Sequence, residues 1–133
     1  MKQLQFAVGL LATVASCSLY AQIMNARANI PFEFRVGEKL MPAGEYWIQH
    51  ANGWLGLQET GGHRATAAIL TYATDLKSEK PVIQFNRYGD AYFLGKLSMP
   101  GSDTGRAVPK TPRETELARI SRPGQRTIAF ESK

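Results

Sequence analysis

Between Asn29 and Val36 the chain alternates without a break: Ile30, Phe32, Phe34 and Val36 fall on one side, Asn29, Pro31, Glu33 and Arg35 on the other. A period of two predicts one half-buried strand, with Pro31 near an edge because it has no N–H to give to a ladder. Gly37-Glu38-Lys39 turns the chain, and Gly44 in Met41–Glu45 suits a second tight turn. From Tyr46 the alternation resumes and is interrupted at Asn52-Gly53, a pair that favours a two-residue hairpin loop. That loop sets Ala51 opposite Trp54, Ile48 opposite Leu57 and His50 opposite Leu55. Tyr46, Ile48, His50, Leu55 and Leu57 then share the core face. Trp47, Gln49, Ala51, Trp54, Gly56 and Gln58 share the other.

Thr60-Gly61-Gly62 breaks the pattern, and Arg64 to Tyr72 reads as a strand with Ala65, Ala67 and Ile69 on one face. After a polar loop from Thr74 to Lys80, Pro81–Phe85 and Ala91–Met99 read as a hairpin. A three-residue loop, Tyr88-Gly89-Asp90, keeps its faces consistent by setting Phe85 against Phe93 and Ile83 against Gly95. Pro100 to Gly105 reads as a loop. Thr111-Pro112-Arg113-Glu114 then matches a capping box with proline at the first helical position. The helix can run only to about Ile120, because Pro123-Gly124 follows, and its apolar face is little more than Leu117 and Ile120. Thr127–Phe130 offers a last strand with Ile128 and Phe130 inward. The expected fold is all-β: a small antiparallel β-sandwich or partly open barrel of about six or seven strands with one short C-terminal helix.

The first residues change the picture of where this domain starts. Lys2 precedes a charge-free apolar run from Phe6 to Ala15, which at about ten residues has the length of a signal-peptide core and is too short to span a bilayer. Two cuts compete. Leu19-Tyr20-Ala21 permits cleavage before Gln22, making 1–21 the signal peptide and 22–133 the single β-rich domain, its loop, helix and basic tail beginning near residue 100. Val14-Ala15-Ser16-Cys17 instead resembles a bacterial lipobox, making 1–16 a lipoprotein signal and acylated Cys17 the first mature residue. The first predicts a periplasmic or extracellular protein, the second one lipid-anchored at the membrane. In both, the folded part has no cysteine to pair.

Charge adds little to this. The 133-residue chain carries +5, or +4 once residues 1–21, with one lysine and no acid, are removed. Most of the excess lies beyond Gly101, where Arg106, Lys110, Arg113, Arg119, Arg122, Arg126 and Lys133 outweigh Asp103, Glu114, Glu116 and Glu131. Such a tail could meet anionic sugars, lipid headgroups or envelope polymers, although basic residues interleaved with acids more often make a solvated surface. No clustered stripe points to nucleic acid. A membrane contact is expected only through the signal peptide or a lipid anchor.

Ala28–Tyr46 (ANIPFEFRVGEKLMPAGEY) and Phe85–Leu94 (FNRYGDAYFL) together resemble a family of small exported bacterial β-rich proteins of no established function. A PAGEY-type turn and an RYG-type hairpin recur there, followed by a Gly-rich loop and an acidic helix like Glu114–Ala118. The resemblance implies export and a β-rich fold, and carries over no activity or site residue.

Candidate chemistry is sparse. Asp103-Thr104-Gly105 is the string found around aspartic-protease aspartates, but Gly101-Ser102 before it and Arg106 after it fit an Asx-type turn better. His50 and His63 would need a converging carboxylate to hold zinc, and nothing in their spacing supplies one. Ser98 is in no strand-to-helix elbow and has no nameable base. Arg35, Arg64 and Arg87 fit exposed strand positions. Glu33, Glu45 and Glu59 fall at outward or turn positions, where burial would not tune a general acid. No cofactor motif is present.

What remains is the aromatic side of the first hairpin. Trp47 and Trp54 with Gln49 and Gln58 could stack on sugar rings and bind their hydroxyls, a glycan or envelope component being the partner. Burial under the second sheet, the helix or the tail is the simpler expectation, because exposed tryptophans favour aggregation. The reading is a non-enzymatic exported module, binding or structural, acting through its sheet surface or interior. A hydrolase of envelope or extracellular polymers is the alternative, and self-association through an open sheet edge is a third.

Overall fold

The computed structural model describes residues 24–76, 78, 80–98 and 104–132. The signal segment, Cys17, Met99, Pro100 and Asp103 therefore lie outside the described residues. Within them the protein is all-β, two stacked sheets and one helix, with no closed barrel. The five-stranded sheet has the order β12-β1-β4-β5-β6, from Glu131–Ser132, Met24–Ile30, Gly44–Ala51, Trp54–Glu59 and Thr66–Leu70. The other follows the path β11-β8-β9-β10-β7, from Gly124–Ala129, Val82–Tyr88, Ala91–Ser98, Thr104–Ala107 and Tyr72–Asp75. Beside β9 lie β2 (Phe34–Val36) and β3 (Lys39–Met41).

The strands outnumber the six or seven expected because the short strands β3 and β12 were not expected and three expected segments differ. The period-two run from Asn29 to Val36 is two strands: β1 ends at Ile30 and β2 starts at Phe34 in the opposite sheet. Pro31 ends the ladder, and the chain changes layers there while Ile30, Phe34 and Val36 all stay buried. Arg64–Tyr72 is likewise broken at Thr71 into β6 and β7. The expected loop up to Gly105 gives way to β10, whose Gly105 is required by packing: a Cβ there would stand 2.7 Å from the Leu97 carbonyl oxygen and 2.8 Å from Leu76 Cβ.

The second hairpin corrects the expected loop. Tyr88 pairs with Ala91, so Gly89-Asp90 is a two-residue loop, with Gly89 at φ +61°. Phe85 then opposes Leu94 rather than Phe93, and Gln84 opposes Lys96, so Gly95 is an extra residue in β9. This bulge reverses the alternation, which returns Leu97 to the interior beside Ile83. The interior holds Ile48, Leu55, Leu57, Ile83, Leu94 and Leu97, and the space among them is too small for a water molecule.

Phe93 and Tyr88 face outward from the second sheet, in edge contact at 5.7 Å, and both are buried. Helix α1 (Pro112–Ile120) begins where the sequence places it, Thr111 Oγ1 accepting from the Glu114 N–H at 3.2 Å. It does not dock through Leu117 and Ile120, since Ile120 is 77% exposed and the buried helical residue is Glu114. The Glu114 carboxylate accepts from Asn86 Nδ2 at 2.9 Å and from Tyr88 Oη at 3.0 Å. The side chain that a capping box would turn back on the N-cap is thus spent on the sheet.

Candidate functional site

The first hairpin has the register its sequence dictates. Ala51 opposes Trp54, His50 opposes Leu55, and Ile48 opposes Leu57. Tyr46, Ile48, His50, Leu55 and Leu57 are all buried. The opposite face of the sheet is the candidate site, and its residues form rows across the strands. Arg27, Trp47, Gln58 and Thr66 make one row; Asn25, Gln49, Gly56 and Ala68 the next; Ala51, Trp54 and Leu70 a third.

The expected cover over this face is not found among the described residues: the helix lies on the outer side of the other sheet. Trp54 is 53% exposed and its neighbour Leu70 is 52% exposed. Trp47 is half-buried, with the Arg27 guanidinium 4.8 Å above its ring centroid. Gln49 and Gln58 are exposed, and Gln49 Nε2 donates to Asn25 Oδ1 at 3.2 Å. Gly56 and Ala68 have little or no side chain, so the row between the tryptophans is a shallow floor. The sequence reading missed Asn25, Arg27, Ala68 and Leu70 as members of this face. The alternation of Ala26, Ala28 and Ile30 with Asn25, Arg27 and Asn29 was the signal for β1.

A buried polar cluster fixes the Trp54 end of the hairpin. Thr71 Oγ1 donates to the Gly53 carbonyl at 2.7 Å, and the Thr71 N–H donates there too at 2.8 Å. Arg106 donates to Thr71 twice, Nε to Oγ1 at 3.0 Å and Nη2 to the carbonyl at 2.7 Å. His50 Nε2 lies 3.3 Å from the same hydroxyl. The hydroxyl proton goes to Gly53, so His50 must donate, which fixes its proton on Nε2. Burial, and then the Arg106 charge, hold the His50 pKa below its ordinary 6.5. His50 is therefore a structural donor, kept neutral.

Glu59 overturns the expectation of an unburied outward or turn position. It is buried at the end of β5, and its carboxylate accepts from the N–H groups of Gly61 at 2.6 Å, His63 at 3.0 Å and Arg64 at 2.9 Å. A Cβ on Gly61 would stand 2.5 Å from Oε2, so a side chain there would displace the carboxylate. The carboxylate thus replaces a ladder as the acceptor for the 60–64 loop. Tyr46 lies close by, and burial first, then the Glu59 charge, push its hydroxyl up to about 12.

The remaining candidates do not converge. His63 is exposed in the loop, while Glu33 and Glu45 are exposed at separate places. Ser98 is buried and accepts from the Val82 N–H at 2.7 Å, a strand-end bond. Thr104 and Gly105 lie in β10 rather than in the expected turn. Among the described residues no three His, Cys, Asp or Glu side chains are grouped to hold a metal ion, and no helix is long and apolar enough to cross a membrane. Comparison with known proteins found no matching family model, no matching curated protein and no matching solved structure.

Proposed function

We propose that this chain is a non-enzymatic exported module that binds an extended glycan on the outer face of its five-stranded sheet. The observation that carries the reading is Trp54, half-exposed on a face whose outward positions on β4, β5 and β6 between Trp47 and Leu70 bear no charge. A flat indole supplies apolar stacking area, and Gln49, Gln58 and Asn25 supply donors and acceptors for hydroxyl groups. Rigid strands hold them in fixed rows, which limits the entropy lost on binding. Export rests on the apolar leader at Phe6–Ala15, and a lipid anchor at Cys17 is the alternative mode of delivery.

Titration with soluble neutral oligosaccharides tests this through tryptophan fluorescence. The emission should shift on binding, and Trp54→Ala should abolish the change while leaving the unfolding free energy within about 0.5 kcal/mol of the parent, as for an exposed site. An unresponsive parent protein rejects the reading.

Self-association is a second reading, favoured by the side of the sandwich where β6 and β7 run consecutively as edge strands. Leu70 and Tyr72, 52% and 54% exposed, flank the break at Thr71, and no charged residue lies between Ala65 and Thr74. Apolar edge strands of this kind can pair with other strands, although Lys39 Nζ donates to the Thr66 carbonyl on β6. Sedimentation over a concentration range separates the two readings: a mass that rises with concentration and falls in Leu70→Lys supports association.

A further inference from the structure

β6 is the last strand of its sheet among the described residues, and its ladder to β5 fixes where each of its backbone groups points. At one end of that ladder the Glu59 N–H donates to the Ala65 carbonyl at 2.8 Å, and at the other the Thr71 N–H donates to the Gly53 carbonyl at 2.8 Å. Antiparallel pairing alternates bonded and non-bonded positions, so Ala65, Ala67, Ile69 and Thr71 turn their N–H and C=O groups toward β5. Thr66, Ala68 and Leu70 turn theirs to the open edge. The Thr66 carbonyl agrees with this, because it accepts from Lys39 Nζ. Ala68 and Leu70 each keep an N–H and a carbonyl with no partner among the described residues.

Two such residues, one position apart, are self-complementary. A second β6 turned about a two-fold axis through Ile69, normal to the sheet, sets its Leu70 opposite Ala68 and its Ala68 opposite Leu70, and each pair exchanges both backbone bonds. Thr66 then lies beyond the bonded stretch, so its carbonyl keeps the Lys39 contact. The side chains fit the same arrangement. Ala68 and Leu70 both stand on the outer face, in the rows of Gly56 and Trp54. Leu70, 52% exposed, meets the partner's Ala68, a large side chain beside a small one. That match is made twice, once on each side of the axis, which is what an identical strand supplies. No charged residue between Ala65 and Thr74 opposes its approach.

We infer that β6 is an isologous dimerisation edge, pairing antiparallel with β6 of a second copy of this chain about a two-fold axis at Ile69. The inference rests on the self-association reading and adds its strand, register and symmetry. Because the axis uses each β6 once, association through this edge closes at the dimer. The two five-stranded sheets become one continuous sheet, with Trp54 of both copies on the same side.

Sedimentation equilibrium of the full chain between about 1 μM and about 1 mM, the range of weak association, should show monomer and dimer. Ala68→Pro removes an N–H that points away from β5, which an edge strand tolerates. It should weaken the dimer by about tenfold or more, since one bond of each exchanged pair is lost. Circular dichroism of the variant confirms the fold. Cysteines in a Cys17→Ser background read the register separately. A mixture of Ala68→Cys and Leu70→Cys chains should form a disulfide dimer on mild oxidation, and neither chain alone should, because like positions are only diagonal across the axis. A monomer at every concentration overturns both this inference and the self-association reading. A mass that climbs past the dimer, full affinity in Ala68→Pro, or cross-linking no better in the mixture than in either chain alone overturns this inference and leaves the broader reading standing.

Discussion

Replacing each buried glutamate by glutamine should separate two carboxylates that look alike in burial. Glu59 uses both oxygens: Oε2 takes the Gly61 N–H, and Oε1 takes those of His63 and Arg64. Glu114 receives both of its donors, Asn86 and Tyr88, on Oε2 alone. A glutamine at 114 can present its carbonyl oxygen to both donors. It loses charge assistance and a favourable charge in the first helical turn, about 1 kcal/mol together. A glutamine at 59 cannot satisfy both sites, because its amide group must face at least one backbone N–H. The lost bond to a charged acceptor is worth about 1.5–3 kcal/mol, and a donor is left facing a donor in a buried site. Urea denaturation should place Glu59→Gln at least about 2 kcal/mol below the parent and Glu114→Gln only about 1 kcal/mol below, with unchanged slopes. Equal losses in the two variants would refute the assignment of acceptors.

Other outcomes follow from the same contacts. The depressed His50 pKa means that the folded state disfavours the imidazolium, so its contribution is complete above the ordinary 6.5 and is lost as pH falls from there through the folded value. Parent protein should lose stability over that window, and His50→Gln should show a flatter profile; a parallel profile would count against the Thr71 cluster. Burial pushes both Tyr46 and Tyr88 up to about 12, with Glu59 adding to the first and Glu114 to the second. Their stabilisation is present below the ordinary 10 and lost as pH rises through about 12, so spectrophotometric titration should find two late-ionising phenols, and a single transition near 10 would contradict this. Gly105→Ala should cost about 1–3 kcal/mol, since the new methyl meets backbone and Leu76, and a neutral result would mean that β10 sits farther from β9 than described.

The Tyr46–Gln58 hairpin was legible in full because Asn52-Gly53 fixes the register, and register alone assigns every side chain to a face. The helix start was equally legible in Thr111-Pro112. Non-local events were not. Nothing near Pro31 says that the next strand joins the opposite layer. Gly95 reads as an ordinary strand glycine until Leu94 and Leu97 are seen to share the interior, three positions apart. Glu59 was misplaced because pattern reading treats a carboxylate as solvent-facing, whereas backbone N–H groups can replace water around it. Glu114 reads as part of a capping box, and its contacts with Asn86 and Tyr88 are non-local. The uncovered state of Trp54 also lay beyond pattern, because it depends on which sheet the helix chooses.

The pairing of Arg27 with Glu131 has a consequence for how the molecule is assembled. The first and last described strands lie side by side, so one layer cannot be completed until the final segment has arrived. Under the proposed export the chain would cross a translocation pore unfolded, and a topology that withholds closure until late suits that passage. The same long-range closure predicts slow acquisition of the native state, with the local Trp54 hairpin expected to form first.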